Sequence, residues 1–306
     1  MRNYYYDEKG FHSTENPWDA WWVSVVEPDK DDIRHLIEDR HVPPILLEYL
    51  EDRDERPRIE RNGEWLMTIV RIPVKNDNDI MPFTTVPLGI ISCPDGRVIT
   101  ICFHSTGLPA DFAEHTCQKE LMTRSVSMFT LRVIFSTAYW YLADLKEISS
   151  YVIDTGKAMD HEIANEDLRQ LMKLQKSLVF FNTSIAGDLL VLERIRKIYD
   201  SDLDEDLAED VEIEMRQAET TAAISNDILK ATMDSYSSII SNNANNVMKR
   251  MSAISIILIV PTFVASLYGM NVDILLSGRY AFWIVLAIAA VLTAIAFFCL
   301  RRLKWI

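Results

Sequence analysis

The chain has 306 residues, 49% apolar and 25% charged, with a formal net charge of −14, enough for one large domain or two ordinary ones around a buried core. The charge is lopsided: residues 251–306 carry Arg279, Arg301, Arg302 and Lys304 against Asp273, a local balance of +3, so the first 250 residues sum to −17. Such a surface repels phosphates and anionic headgroups, which excludes nucleic acid as a partner and favours small cations, although a solvated acidic surface with no ligand has the same composition.

The N-terminal stretch has no apolar h-region, so no cleaved leader is expected and the body of the chain is expected in the cytoplasm. Cys93, Cys102, Cys117 and Cys299 form no Cys-x-x-Cys pair, which suits that reducing compartment. Residues 18–125 read as mixed α/β: "WWVSVV" is strand-like, and "DKDDIRHLIEDR" predicts a helix capped by Asp29 with Ile33, Leu36 and Ile37 facing inward. "EWLMTIVRIPV" and "VPLGIISCPDGRVITICF" predict further strands, the second stretch folding back at "PDG", and Pro109 opens a helix.

From about Ser127 to residue 260 there is no proline, and the only glycines are Gly156 and Gly187. Three helices are predicted there, over roughly 127–164, 166–198, and from near Asp202 into an apolar run. The third opens on "DSDLDEDLAEDVEIE", residues 200–214, with nine acids and no base, a composition that also suits a plain solvated helix start. Unbroken to Met270 it would hold 69 residues and extend roughly 100 Å. Apolar positions such as Ile213, Ile224, Ile228, Met233, Ile239 and Val247 then need neighbours from this chain or from copies of it, so self-association is expected.

Residues 251–272 and 280–300 contain no Asp, Glu, Lys or Arg, and each is long enough to cross about 30 Å of hydrocarbon as a helix. Lys249 and Arg250 precede the first run and "RRLKWI" follows the second, so both flanks are expected in the cytoplasm. Trp283 and Trp305, near opposite ends of the second run, suit the headgroup zones. The expected layout is thus a cytoplasmic α/β domain (1–126), cytoplasmic helices and stalk (127–250), a first span (251–272), an outer loop (273–279), a second span (280–300) and a basic tail (301–306).

Entering the first run, Asn245, Met248, Ser252, Ser255, Ile259, Thr262 and Ser266 recur at alternating intervals of three and four and share one helical face. Polar residues on such a face can simply pack helices together. If several copies surround an axis they line a pore instead, with Met248, Met251 and Ile259 as constrictions; two helices per chain cannot enclose one. At the end of the run Gly269 lets the backbone turn, and Asn271 can aim a neutral amide oxygen at the axis. Neutral oxygens can hold the water shell of a hard divalent cation that dehydrates reluctantly.

Tyr268, Gly269, Met270 and Asn271, with "NNVMKRM" and "PTFVASLYGMN" around them and the basic "RRLKWI" downstream, resemble the signature of the CorA family of magnesium channels and transporters. The resemblance covers the whole layout and implies a homopentameric funnel. In it the signature residues Tyr268 to Asn271 form the selectivity filter, with the Asn271 ring binding Mg²⁺. Asn245, Met248, Met251, Ser252, Ser255, Ile259 and Thr262 line the pore, and Arg301, Arg302 and Lys304 form a basic collar. The family's regulatory divalent sites imply that Asp210 is a metal ligand on the stalk, with Mg²⁺ both substrate and regulator and no other cofactor. The family's acidic Met-Pro-Glu loop is absent and "NVDILLSGRY" replaces it.

The expected function is passive Mg²⁺ influx across the cell (inner) membrane, with both termini cytoplasmic. Zinc, cobalt or nickel transport by a ZntB-like relative, or a membrane-anchored oligomeric scaffold, are the alternatives. An enzyme is not expected: His35, His41, His104 and His115 lack paired metal-ligand spacing, and neither His-Glu-x-x-His nor a Walker-type glycine loop is present.

Overall fold

The computed structural model describes residues 1–17, 19–76, 81–121, 123, 125–158, 165–199, 202–270 and 280–305. They fall into two compact units, Met1–Met233 and Asp234–Ile306.

In the first unit, strands β1 (Arg2–Asp7), β2 (Phe11–Thr14), β3 (Trp22–Val26), β4 (Arg58–Asn62), β5 (Trp65–Lys75), β6 (Phe83–Ser92) and β7 (Val98–Cys102) form one sheet in the order β2-β1-β3-β7-β6-β5-β4. Among the described strands only β3 and β7 run parallel, with Val23 opposite Ile99; the other pairs are antiparallel. The β6–β7 connection turns at Gly96, whose φ of 79° is the left-handed geometry that "PDG" anticipates.

One sheet face carries helices α1 (Lys30–Glu38) and α2 (Pro44–Glu51), whose Leu36, Leu46, Leu47 and Leu50 pack with Val23, Val25, Met67, Ile69, Ile91 and Ile101. Asp29 caps α1 as the sequence predicts, accepting from the amides of Asp31 and Asp32, while the Asp29 amide donates to Asp32 Oδ2. Helix α2 lies directly on β6 at Gly89, where an added Cβ would meet Leu50 Cδ1 at 2.3 Å and the leucine would have to shift. On the other side, Phe11, Trp22, Phe112 and Phe129 form an aromatic cluster with edge-to-face contacts, joining β2 and β3 to α3 (Leu108–Gln118) and α4 (Val126–Ala158).

α4 and α5 (Asn165–Ile198) lie on β5 and β6, and a buried polar network fixes their position. The Arg71 amide donates to Asp188 Oδ1 at 2.9 Å, the Tyr141 hydroxyl donates to the Arg71 carbonyl at 2.8 Å, and the Arg71 guanidinium donates to Thr85 and to the carbonyls of Arg53 and Glu55. Burial raises the Asp188 carboxyl well above the usual range, with Arg71 opposing the shift.

Helix α6 (Glu205–Tyr268) is one element, broken neither by the acidic opening nor by Pro261. Within the first unit it buries Ala208, Val211, Met215, Ala218, Ala222, Ser225 and Leu229, an alternating three-four repeat of mostly small side chains. Ser225 meets Ser149 of α4 at 2.9 Å, and Glu212 accepts from Arg196 of α5 at 2.5 Å. The larger Ile213, Ile224 and Ile228 stay exposed on other faces. The fold agrees with the expected class: an α/β N-terminal body, a long helix and two C-terminal apolar helices.

Candidate functional site

The second unit holds the end of α6 and helix α7 (Ala281–Arg302), the two described helices long and apolar enough to cross a membrane. Its geometry follows from how α6 divides its faces. Ala253 and Val264 are buried, and Ile257 and Pro261 line a groove with Leu286, Ala289, Thr293 and Phe297 of α7. Small residues on α7 let the helices approach, and the Thr293 hydroxyl is satisfied within its own helix, donating to the Ala289 carbonyl at 2.7 Å.

At 100° per residue, Ser255 is rotated 200° from Ala253, so the three-four stripe lies on the opposite side of α6 from α7. Asn245, Met248, Met251, Ser252, Ser255, Ile259, Thr262 and Ser266 are all exposed in the single chain, Met248 and Ile259 by 66% and 62%. The structure therefore brings the sequence-predicted lining residues onto one uncovered face. The α7-facing set, Ala253, Ile257, Pro261 and Val264, was not read from the sequence; its signal is the same periodicity offset by two residues.

Two hydroxyls of the stripe bond back along the helix: Ser255 donates to the Met251 carbonyl at 3.0 Å and Thr262 to the Leu258 carbonyl at 2.7 Å. Pro261 removes the amide that would reach the carbonyl of Ile257, so the Thr262 hydroxyl serves the carbonyl next to the freed one and not the freed one itself. The helix ends at Tyr268. Gly269 still donates to Ala265 at 3.0 Å and Ser266 at 3.2 Å and is not among the described glycines of positive φ. Met270 is exposed; Asn271 and the connection over 271–279 lie outside the described residues.

α7 ends with Arg301 and Arg302 in its last turn, where cations complement the helix dipole. Tyr280, Phe282 and Trp283 are exposed at its start. Asp210 is exposed on α6 in the first unit, five residues after Glu205 and two before Glu212, the carboxylates that Arg196 engages. Among the described residues no group of three or more His, Cys, Asp or Glu could hold a metal ion.

A family model, described as CorA-like Mg²⁺ transporter protein, matches residues 19–302. The chain belongs to this family. The cobalt/magnesium transport protein CorA of Methanocaldococcus jannaschii is 24% identical over 298 residues, which are 93% of this chain and 91% of that protein. The complete structure of the CorA magnesium transporter from the same organism superposes with a TM-score of 0.84 at 20% identity, covering 100% of this chain and 99% of that one. The ZntB cytoplasmic domain of Vibrio parahaemolyticus gives a TM-score of 0.60 at 14% identity over 80% of this chain and 98% of that one, a likeness of fold alone. As members of a family of channels and transporters, the CorA-like chains are not enzymes, and the histidines raised above need no catalytic role.

Proposed function

We propose that this chain is one subunit of a homopentameric channel that admits Mg²⁺ to the cytoplasm. The observation that carries the reading is the division of α6: one face is occupied by α7, and the opposite face presents hydroxyls, an amide, Met248, Met251 and Ile259 with nothing over them in the single chain. Copies of this face around an axis give alternating polar and apolar rings, suited to a hydrated cation when open and to dewetting when narrowed. Asn271, just beyond Tyr268, Gly269 and Met270, supplies a ring of neutral oxygens to the ion's water shell; carboxylates would bind too tightly for conduction.

Entry needs no ATP, since an inside-negative potential of about 100 mV is worth roughly 4.6 kcal/mol for two charges. Orientation follows from Lys249, Arg250, Arg301, Arg302 and Lys304, which place both flanks, and the termini with them, in the cytoplasm of a cell (inner) membrane protein whose spans contact lipid. Asp210 is a ligand of a regulatory divalent site completed by a neighbouring subunit. Mg²⁺ bound there bridges carboxylates that otherwise repel, and its loss loosens the interface and raises the open population.

Flux of Mg²⁺, Co²⁺, Ni²⁺ and Zn²⁺ into proteoliposomes, with Asn271→Ala as the paired variant, tests the proposal. The expected result is Mg²⁺ entry that the variant loses while remaining assembled. Entry of Zn²⁺ without Mg²⁺ would favour the ZntB-like alternative, and unchanged flux in the variant would remove Asn271 from the filter. A cell phenotype that survives Asn271→Ala, with no ion flux from either protein, would favour the scaffold.

A further inference from the structure

Helices α5 and α6 each carry a long outer stripe. Alternate steps of four and three from Met172 to Lys197 on α5, and from Asp206 to Ala231 on α6, land only on exposed residues. Each stripe spans 26 residues, roughly 38 Å of helix. Val179 and Leu190 on the first, and Ile213 and Ile224 on the second, are each more than half exposed. Apolar residues repeated at this spacing over so many turns form a seam for another helix.

The two stripes are opposite in charge. Within the first 250 residues, whose charge sums to −17, the α5 stripe carries Lys176 and Lys197 against Glu193, with Arg194 beside it. The α6 stripe carries Asp206, Asp210 and Asp227 and no base. Among the described residues, neither these three cations nor the three aspartates enter an ion pair.

The helices are also opposed in direction. Tyr141 of α4 and Asp188 of α5 both hydrogen-bond to Arg71 of β5. Further along β5, Lys75 donates to Glu147 of α4, whereas Ser177 of α5 accepts the amide of Phe83, the residue opposite Lys75. Helix α5 therefore runs against α4. Helix α6 runs with α4, because the Ser127 hydroxyl donates to the Asp202 carbonyl just before α6 and Ser149 pairs with Ser225. Copies related by a rotation axis along these helices thus bring α5 of one antiparallel to α6 of the next.

We propose that the α6 stripe of one subunit packs antiparallel on the α5 stripe of its neighbour. Matching the two step for step places Asp206 with Lys197, Ile213 with Leu190, Ile224 with Val179 and Asp227 with Lys176, so that ion pairs flank apolar pairs. Asp210 falls opposite Glu193, a like-charged pair that the divalent ion proposed for Asp210 would bridge. A slip of one heptad either way spoils the match, setting Asp206 on Leu190 or Ile213 on Lys197. Because the two stripes differ, the contact is heterologous and closes into a ring on repetition. The inference rests on the reading of this chain as one subunit of an assembly, and not on what the assembly conducts.

Cysteine pairs test the register in the full-length protein in detergent. With Val179→Cys and Ile224→Cys in one chain, oxidation by copper phenanthroline should give a ladder of disulfide-linked subunits on a non-reducing denaturing gel. Leu190→Cys with Ile224→Cys, which the register sets several turns apart, should give no ladder, and neither should the natural chain with its four free cysteines. Charge reversal tests the same seam without cysteines. Asp227→Lys should lower the assembled fraction in native mass spectrometry about threefold or more, and adding Lys176→Asp should restore it. Assembled particles whose matched pair gives no ladder, an equal ladder from the mismatched pair, or no rescue by the second charge change would overturn the pairing and leave the subunit reading standing. A natural chain that stays monomeric would overturn both.

Discussion

Asp188 gives a perturbation whose size can be worked from the structure. Its side chain is fully buried on α5; Oδ1 accepts the Arg71 amide at 2.9 Å, and Oδ2 has no partner among the described residues. Burial raises its pKa well above 3.8, so the neutral acid is favoured in the fold. Asp188→Asn keeps both the shape and the acceptor, whereas Asp188→Ala leaves the Arg71 amide buried without a partner, at about 1–3 kcal/mol. Hydrogen exchange of peptides covering β5 reads this locally: roughly 5- to 150-fold faster exchange at Arg71 in the alanine variant, and little change in the asparagine variant. The sign with pH follows from linkage. A carboxyl whose folded pKa is raised contributes stability that is fully present below its unfolded value, near 3.8, and lost as pH rises through the folded pKa, at about 1.4 kcal/mol per pH unit within that window. Wild type should therefore lose stability relative to Asp188→Asn as pH rises above about 4. Parallel pH dependences for the two proteins, or equal damage from asparagine and alanine, would refute the reasoning.

Asp144 should behave in the same sense with a lower ceiling: burial brings it to about 6 while Lys75 opposes, so Asp144→Asn should flatten the fall in thermal stability between about pH 4 and 6. On α6, Ile224→Asp should leave the secondary structure of the subunit intact, because the side chain is exposed, yet weaken self-association seen by native mass spectrometry. Ala218→Leu, by contrast, should destabilise the subunit by about 1–3 kcal/mol in chemical denaturation, since Ala218 is fully buried in the small-residue stripe. In the pore reading, Ile259→Ser should raise Mg²⁺ leak at high internal Mg²⁺ by wetting a constriction, and Asp210→Ala should shift the Mg²⁺ level that closes the channel upward, both read as flux into liposomes.

Much of this architecture was legible because local chemistry and tertiary packing agree. The Asp29 cap, the "PDG" hairpin and the unbroken α6 each follow from residues within one turn of the feature. β1 and β2 were not legible: "RNYYYD" and "FHST" lack clean alternation, and their place is fixed by pairing with each other and with β3. The buried face of α6 was also hidden. Ile213, Ile224 and Ile228 draw the eye, yet α4 and α5 come close enough that alanines fill the seam and the isoleucines remain outside. At the site, the periodicity of the stripe placed its residues on one face. In the proposed channel that face is met by other copies of the chain, which no single sequence position encodes.

The central claim is that the stripe of α6 faces a shared axis. Imaging of purified particles in detergent, with and without millimolar Mg²⁺, tests it most directly. The account predicts fivefold particles with a central conduit lined by Ser255, Ile259 and Thr262, whose symmetry relaxes when Mg²⁺ is chelated. A stripe turned toward lipid, or an assembly with no conduit, would contradict it.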